Sequence, residues 1–241
     1  MNTQATLEQL RELRLHGMAS SYEAVLGLPV NSQPDAHQLI AQLAQHETES
    51  KQLRRTEMLL RLSKLRYAAM IEEVKCSAER NLPPEKLSLL ADCFWIDKAE
   101  NILITGATGC GKSFLACALG RQACSLGYKT LYLNVNRLIE KIMLAKLDGT
   151  FIKMLNQVEK VKLLILDDFG LQPLNADTRL ALLQILEDRY KRKATMIVSQ
   201  LPVSKWFEYL DDPTLADAIL DRLTAHAHRI DIKGKSLRHE N

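Results

Sequence analysis

The stretch GATGCGKS at residues 106–113 decides how this chain is read. It fits the spacing G-x-x-x-x-G-K-[ST]. The apolar run NILIT (101–105) leads into it and a small-residue helical pattern, Ser113 to Cys124, follows, so the glycines fall where a buried strand turns into a helix. In that setting Gly106, Gly109 and Gly111 permit backbone angles and close approaches that a Cβ would block. Successive amides between Gly106 and Phe114, with Ala107, Thr108 and Cys110 among them, then point inward and cradle phosphates at the positive end of the helix. Lys112 adds a cation for the terminal phosphates, and the Ser113 hydroxyl is a ligand for Mg2+.

Outward from the cradle, short apolar runs alternate with longer helical patterns: KTLYLNV (129–135), KLLIL (162–166), TMIVS (195–199) and AHRIDI (227–232). This texture predicts a five-stranded parallel sheet covered by helices on both faces. Ligands on such sheets bind at the carboxyl ends of the strands, where the cradle lies. The run from Lys162 ends in Asp167-Asp168, and adjacent acids closing a buried strand are not a product of strand propensity. Asp167 is assigned to the metal and Asp168 to orienting and deprotonating an attacking water. Ser199-Gln200 ends the strand placed beside the cradle strand, where a polar side chain reaches the γ-phosphate.

The first 80 residues carry no strand pattern. Leu7, Leu10, Leu13, Met18, Tyr22 and Val25 recur at helical spacing, a long helical stretch runs from about Asp35 to Arg66, and a further helix is expected to end near Asn81. Leu82-Pro83-Pro84 reads as the boundary between a small all-helical domain (1–82) and the sheet domain (83–241). With 32 basic and 29 acidic residues the chain has a net charge of +3, which points to no partner, so any nucleic-acid reading rests on local clusters. One such cluster is KQLRRTEMLLRLSKLR (51–66), where Lys51, Arg54, Arg55, Arg61, Lys64 and Arg66 face a single acid, Glu57. On a helix these charges neutralise phosphates without reading bases. Cys110, Cys117 and Cys124 recur every seven residues and read as small core residues, and no C-x-x-C suggests a structural zinc site. No apolar run approaches the ~18 residues of a membrane helix, and the charged N-terminus lacks a signal-peptide core, which places the expected location in the cytoplasm.

The motifs GATGCGKS, LLILDDFG, IVSQLP and ILDRL, together with the helical N-terminus, resemble the IstB-like transposition helper ATPases of the helicase-loader branch of the AAA+ superfamily. The resemblance covers almost the whole chain. It implies an α/β P-loop AAA+ fold with three layers and Mg2+-dependent hydrolysis of ATP. It makes Gly106 to Ser113 the Walker A element, Asp167-Asp168 Walker B, and Ser199-Gln200 sensor 1. Arg222 becomes an arginine finger supplied to a neighbouring subunit, and Arg238 matches the sensor-2 position. It further implies head-to-tail self-assembly, binding to double-stranded DNA and a partner transposase. Asp168 stands where many AAA+ proteins carry glutamate and is one methylene shorter, which predicts slower hydrolysis. The nine residues after Ile232 predict a helical lid that is absent or much reduced. Two other readings stay open at this point: a replicative-helicase loader of the DnaC type, and a P-loop phosphotransferase acting on a small molecule.

Overall fold

The computed structural model describes residues 3–237. The chain forms two compact units, divided between Met58 and Leu59. In the first, α1 (Thr3–Glu12) and α2 (His16–Leu26) precede the long α3 (Ala36–Ser63). The start of α2 is tied to α3 by Glu47, whose buried carboxylate accepts from the amides of Gly17 (2.7 Å) and Met18 (3.1 Å). These are donors that the first turn of a helix leaves unmatched. Gly17 is required by the approach, because a Cβ there would lie 2.4 Å from the His46 carbonyl oxygen. Burial alone would raise the Glu47 pKa, but the two amides and the Lys51 ammonium bring it below the ordinary value.

The helix expected to end near Asn81 does not form. Lys64, at φ +55, ends α3 in the left-handed region. Residues 64–82 then run irregularly, with a 3-10 turn at Ile71–Glu73 and a bridge between Ser77 and Leu82. Ala69 and Leu82 are buried, and Leu65, Ile71 and Val74 pack against the same core cluster. These apolar residues follow a neighbouring surface rather than one face of a helix, so tertiary packing overrides helical periodicity. For the same reason the compact division falls at 58/59, and the expected break at Leu82-Pro83-Pro84 lies inside the second unit. The prolines do mark a helix start, since Pro84 is the first residue of α4 (Pro84–Ala91).

After α5 (Phe94–Asp97) the chain alternates: β1 (Asn101–Gly106), α6 (Lys112–Ser125), β2 (Thr130–Asn134), α7 (Val135–Leu147), α8 (Phe151–Glu159), β3 (Leu163–Phe169), α9 (Ala176–Arg189), β4 (Ala194–Ser199), α10 (Trp206–Leu210), α11 (Pro213–Thr224) and β5 (Ala227–Ile232). The strands form one parallel sheet in the order β2-β3-β4-β1-β5, with β4 beside β1 as the sequence predicted. Both faces are covered. Ile102, Ile104, Ile165 and Met196 join a core with α6 and the 65–82 segment. Leu103, Leu164, Leu166 and Ile197 join a second core with α7 through α11. This two-sided burial explains why the inner strands β1, β3 and β4 read as near-continuous apolar runs rather than alternating ones.

Arg189, at the end of α9, is 1% exposed. Its guanidinium donates to the carbonyls of Val158, Val161, Lys162 and Ala194 and to the Thr195 hydroxyl, joining the end of α8 to the entries of β3 and β4. Burial pulls its pKa down to about 9, which still leaves it charged at neutral pH. Cys110, Cys117 and Cys124 are buried free thiols, and burial raises the pKa of the latter two. Among the described residues no helix is long and apolar enough to cross a membrane.

Candidate nucleotide site

The cradle turns out of β1 at Gly106, whose φ is +144. A Cβ there would stand 2.2 Å from the Ile232 carbonyl oxygen on β5, so the paired strand excludes any side chain. Gly109 is confined from the other side, by Ser236, whose Oγ would lie 2.2 Å from an added Cβ. The Leu237 amide donates to the Gly109 carbonyl at 3.0 Å. Arg80 braces the loop from outside, donating to the Cys110 carbonyl at 2.6 Å. Lys112 and Ser113 open α6. The Lys112 ammonium, 7% exposed, donates to the Ala107 carbonyl at 2.7 Å and lies 3.9 Å from Cys110 Sγ. The cation thus rests on the loop's own dipole, a contact that a phosphate oxygen would replace with a stronger, charge-assisted one.

A cleft of 330 Å³ brings the predicted groups together: Lys112, Ser113, Asp167, Asp168, Ser199 and Gln200 all line it. Tyr67 and Phe114 add aromatic wall, with ring centroids 6.4 Å apart. Asp167 is 1% exposed at the end of β3. It accepts from the Tyr132 hydroxyl at 2.5 Å and from the Asp168 amide at 2.8 Å. Burial, and then the hydrogen bond to Asp167, raise the Tyr132 pKa, so the hydroxyl remains a donor. Asp168 follows at φ +60, where the β3–β4 register shifts between Leu166 and Phe169. A left-handed aspartate costs of order 1–3 kcal/mol of backbone strain, a feature that clusters at functional sites. The bulge turns consecutive acids in different directions: Asp167 into the packed strand end and Asp168 toward Asn134, whose amide donates to it at 2.6 Å. Arg66 Nη1 lies 3.8 Å from the same Asp168 oxygen. Burial would lower the Arg66 pKa, but Tyr67, Tyr132 and Asp168 raise it.

The site is fit for Mg2+. A buried carboxylate and a helix-start hydroxyl share the cleft, and Mg2+ usually binds one or two carboxylates together with substrate phosphates and waters rather than a full protein cage. At the strand end beside the cradle, Ser199 and Gln200 play different parts. Gln200 accepts from Thr108 at 2.7 Å and so touches the cradle directly. The Ser199 hydroxyl, 1% exposed, donates to the Phe169 carbonyl at 2.6 Å and accepts from the Leu201 amide at 3.0 Å, pinning the end of β3 to that of β4.

Other predicted residues lie elsewhere. The Arg222 carbonyl accepts from Asn101 at 2.9 Å, which puts this arginine at the start of β1. The cradle is at the other end of that strand, roughly 17 Å away at ~3.3 Å per residue, so Arg222 is not part of this chain's own cleft. Its guanidinium donates to Glu187 and to the Ala218 carbonyl and lies 5.9 Å from the Tyr190 ring centre. Arg238 lies outside the described residues. The basic run 51–66 is not one helical stripe, because α3 stops at Ser63. Lys51 and Arg54 lie 3.5 and 3.9 Å from Glu47, Arg55 and Arg61 are exposed, Lys64 is past the helix end, and Arg66 belongs to the cleft. Sequence reasoning missed Tyr67, Arg80, Tyr132 and Asn134. A signal existed for Asn134, which closes the strand flanking the acid strand and caps α7 through the Asn136 amide at 3.0 Å. For Arg80 there was none.

Cradle, strand order and paired acids define a P-loop nucleotide-binding protein of the AAA+ class. The family model described as IstB-like ATP binding protein matches residues 8–241, and the chain belongs to that family. An insertion sequence ATP-binding protein of Sinorhizobium fredii is 43% identical over 233 residues, covering 97% of this chain and 95% of the relative. The insertion sequence IS21 ATP-binding protein of Pseudomonas aeruginosa is 28% identical over 229 residues, covering 95% and 86%. Among solved structures, DnaI matches with a TM-score of 0.60 at 19% identity over 73% of this chain and 94% of its own. The DnaC helicase loader matches with 0.57 at 18%, over 69% and 98%. These structural likenesses show the fold.

Proposed function

We propose that the chain is a cytoplasmic ATPase of insertion-sequence transposition. It assembles head to tail on double-stranded DNA while ATP is bound and helps a partner transposase engage target DNA. The observation that carries the reading is the single cleft lined by Lys112, Ser113, Asp167, Asp168 and Gln200, in a chain whose relatives are named as insertion sequence ATP-binding proteins. The amides from Gly106 to Phe114 hold the phosphates and Lys112 neutralises the terminal one. Ser113 and Asp167 would hold Mg2+, which when bound screens charge developing on the phosphates. Asp168 orients the attacking water, Gln200 senses the γ-phosphate from the strand beside the cradle, and Ser199 fixes that strand end.

Arg222, remote from its own cleft, is exposed enough to serve a neighbour's. In a head-to-tail contact it would leave Glu187 for the transferring phosphoryl group. Arg55 and Arg61, with Lys51 and Arg54, contact duplex phosphates along α3. The test measures phosphate release from ATP with and without duplex DNA, and co-precipitation of the transposase encoded beside this chain's gene. DNA-dependent turnover and transposase capture support the reading. Turnover indifferent to DNA, with transfer of phosphate to a small acceptor, would replace it with the phosphotransferase reading.

A further inference from the structure

A second cleft, of 510 Å³, opens on the far side of Asp168. Lys64, Arg66, Arg137 and Lys141 line it, against one acid, Asp168, which already faces Arg66. Arg66 and Asp168 line the nucleotide cleft as well, so the two cavities meet at that pair. No carboxylate stands within ion-pair distance of Lys64, Arg137 or Lys141 among the described residues.

The local structure works against such a cluster in the absence of an anion. Arg137 and Lys141 are one turn apart on α7, where like charges repel. Arg137 stands in the first turn, beside the positive end of the helix dipole, and that turn holds no acid. Lys64 occupies the left-handed position just past the end of α3, at φ +55, a place where glycine fits without strain. Two separate elements, the end of α3 and the face of α7, thus bring three unpaired cations to one cleft, each against its own local preference. Burial and then the neighbouring Lys64 and Arg137 lower the Lys141 pKa, as expected for a site with a missing counter-charge.

We infer that Lys64, Arg137 and Lys141 form a second anion site, which takes a phosphodiester of the DNA backbone and sets it against the wall shared with the nucleotide cleft. This inference rests on the DNA-binding reading above. The contacts reach phosphates and no base edges, so the site is indifferent to sequence.

The experiment titrates a fluorescent 30-bp duplex into the full chain with ATP, across a salt series, using wild type, Arg137→Ala/Lys141→Ala and Lys64→Gly. Binding of a fluorescent ATP analogue without DNA controls for the nucleotide cleft, and inorganic phosphate is titrated as a separate ligand. The double variant is expected to bind duplex about tenfold more weakly or worse, and its log-affinity to fall less steeply with log salt by ~0.9 for each lost contact. ATP binding should be unchanged. Lys64→Gly is expected to weaken duplex binding while its melting temperature stays level or rises, which separates the site from any damage to the fold.

A double variant with wild-type duplex affinity and salt slope overturns the inference. So does loss of inorganic phosphate binding with duplex binding intact, which would make this a small-anion site. Failure of the wild type itself to bind duplex at any salt would instead remove the DNA-binding reading on which the inference stands.

Discussion

Replacing Asn134 tests how Asp168, the carboxylate proposed to orient water, is held. Its amide donates to Asp168 Oδ2 at 2.6 Å, while its carbonyl oxygen caps α7 by accepting from Asn136 at 3.0 Å. A hydrogen bond to a charged group contributes ~1.5–3 kcal/mol. The Asp168 side chain is 22% exposed, so solvent replaces part of that, and ~1–1.5 kcal/mol is the net hold. If the carboxylate must leave Asn134 to orient water, Asn134→Ala should raise ATP turnover about five- to tenfold, at 1.36 kcal/mol per decade. The same change loses the cap, at ~1 kcal/mol, and lowers the melting temperature by ~2–4 °C for a unit of this size.

Asn134→Ser separates the effects. Serine caps a helix well but is too short to reach Asp168, so turnover should rise while the melting temperature stays near wild type. The assay is steady-state phosphate release with duplex present, beside thermal unfolding followed by circular dichroism. Turnover at or below wild type in Asn134→Ser, with ATP affinity intact, would refute the reasoning and make Asn134 a group that aligns Asp168 rather than restrains it.

Further outcomes concern residues far from one another. Arg222→Ala should bind a fluorescent ATP analogue within twofold of wild type yet lose turnover by ~10³-fold, the scale of a transition-state arginine; normal turnover removes the trans role. Arg189→Met leaves the carbonyls of Val158, Val161, Lys162 and Ala194 without their donor. At ~1–3 kcal/mol for each buried acceptor, urea unfolding should show a loss of at least ~4 kcal/mol, and a loss under ~1 kcal/mol contradicts the assignment. Glu47 has a folded pKa below its ordinary 4.5. Its contribution is therefore present above that value and lost as pH falls through the folded one. The first unit should lose stability in that window, Glu47→Gln should abolish the dependence, and an unchanged acid profile in Glu47→Gln would assign it to other carboxylates.

What the sequence made legible follows from how local each signal is. GATGCGKS carries its own backbone requirements, and the strand Leu163–Leu166 is apolar at every position because both faces are covered, so cradle, sheet and acids could be read directly. The AHRIDI strand emerged with its predicted bounds at the sheet edge, where only Ile230 and Ile232 are buried. The segment 64–82 was misread as a helix because its apolar residues answer to a surface brought to it by the tertiary fold. The basic run 51–66 looked like one stripe because nothing in its composition marks the left-handed turn at Lys64. Tyr132 was invisible as a site residue because only the pairing of β2 with β3 sets it against Asp167, and Arg66 was read as a DNA-contact residue alone because no local motif marks the turn that brings it to Asp168.

The central claim is that ATP in this cleft joins copies of the chain on DNA. Analytical ultracentrifugation of the full chain with a 60-bp duplex, in ATP, in ADP and with Lys112→Ala in ATP, tests it most directly. Wild type with ATP should sediment as a DNA-bound oligomer, whereas the ADP sample and Lys112→Ala should remain small species. Monomers in all samples, with nucleotide bound and duplex in excess, would contradict the account.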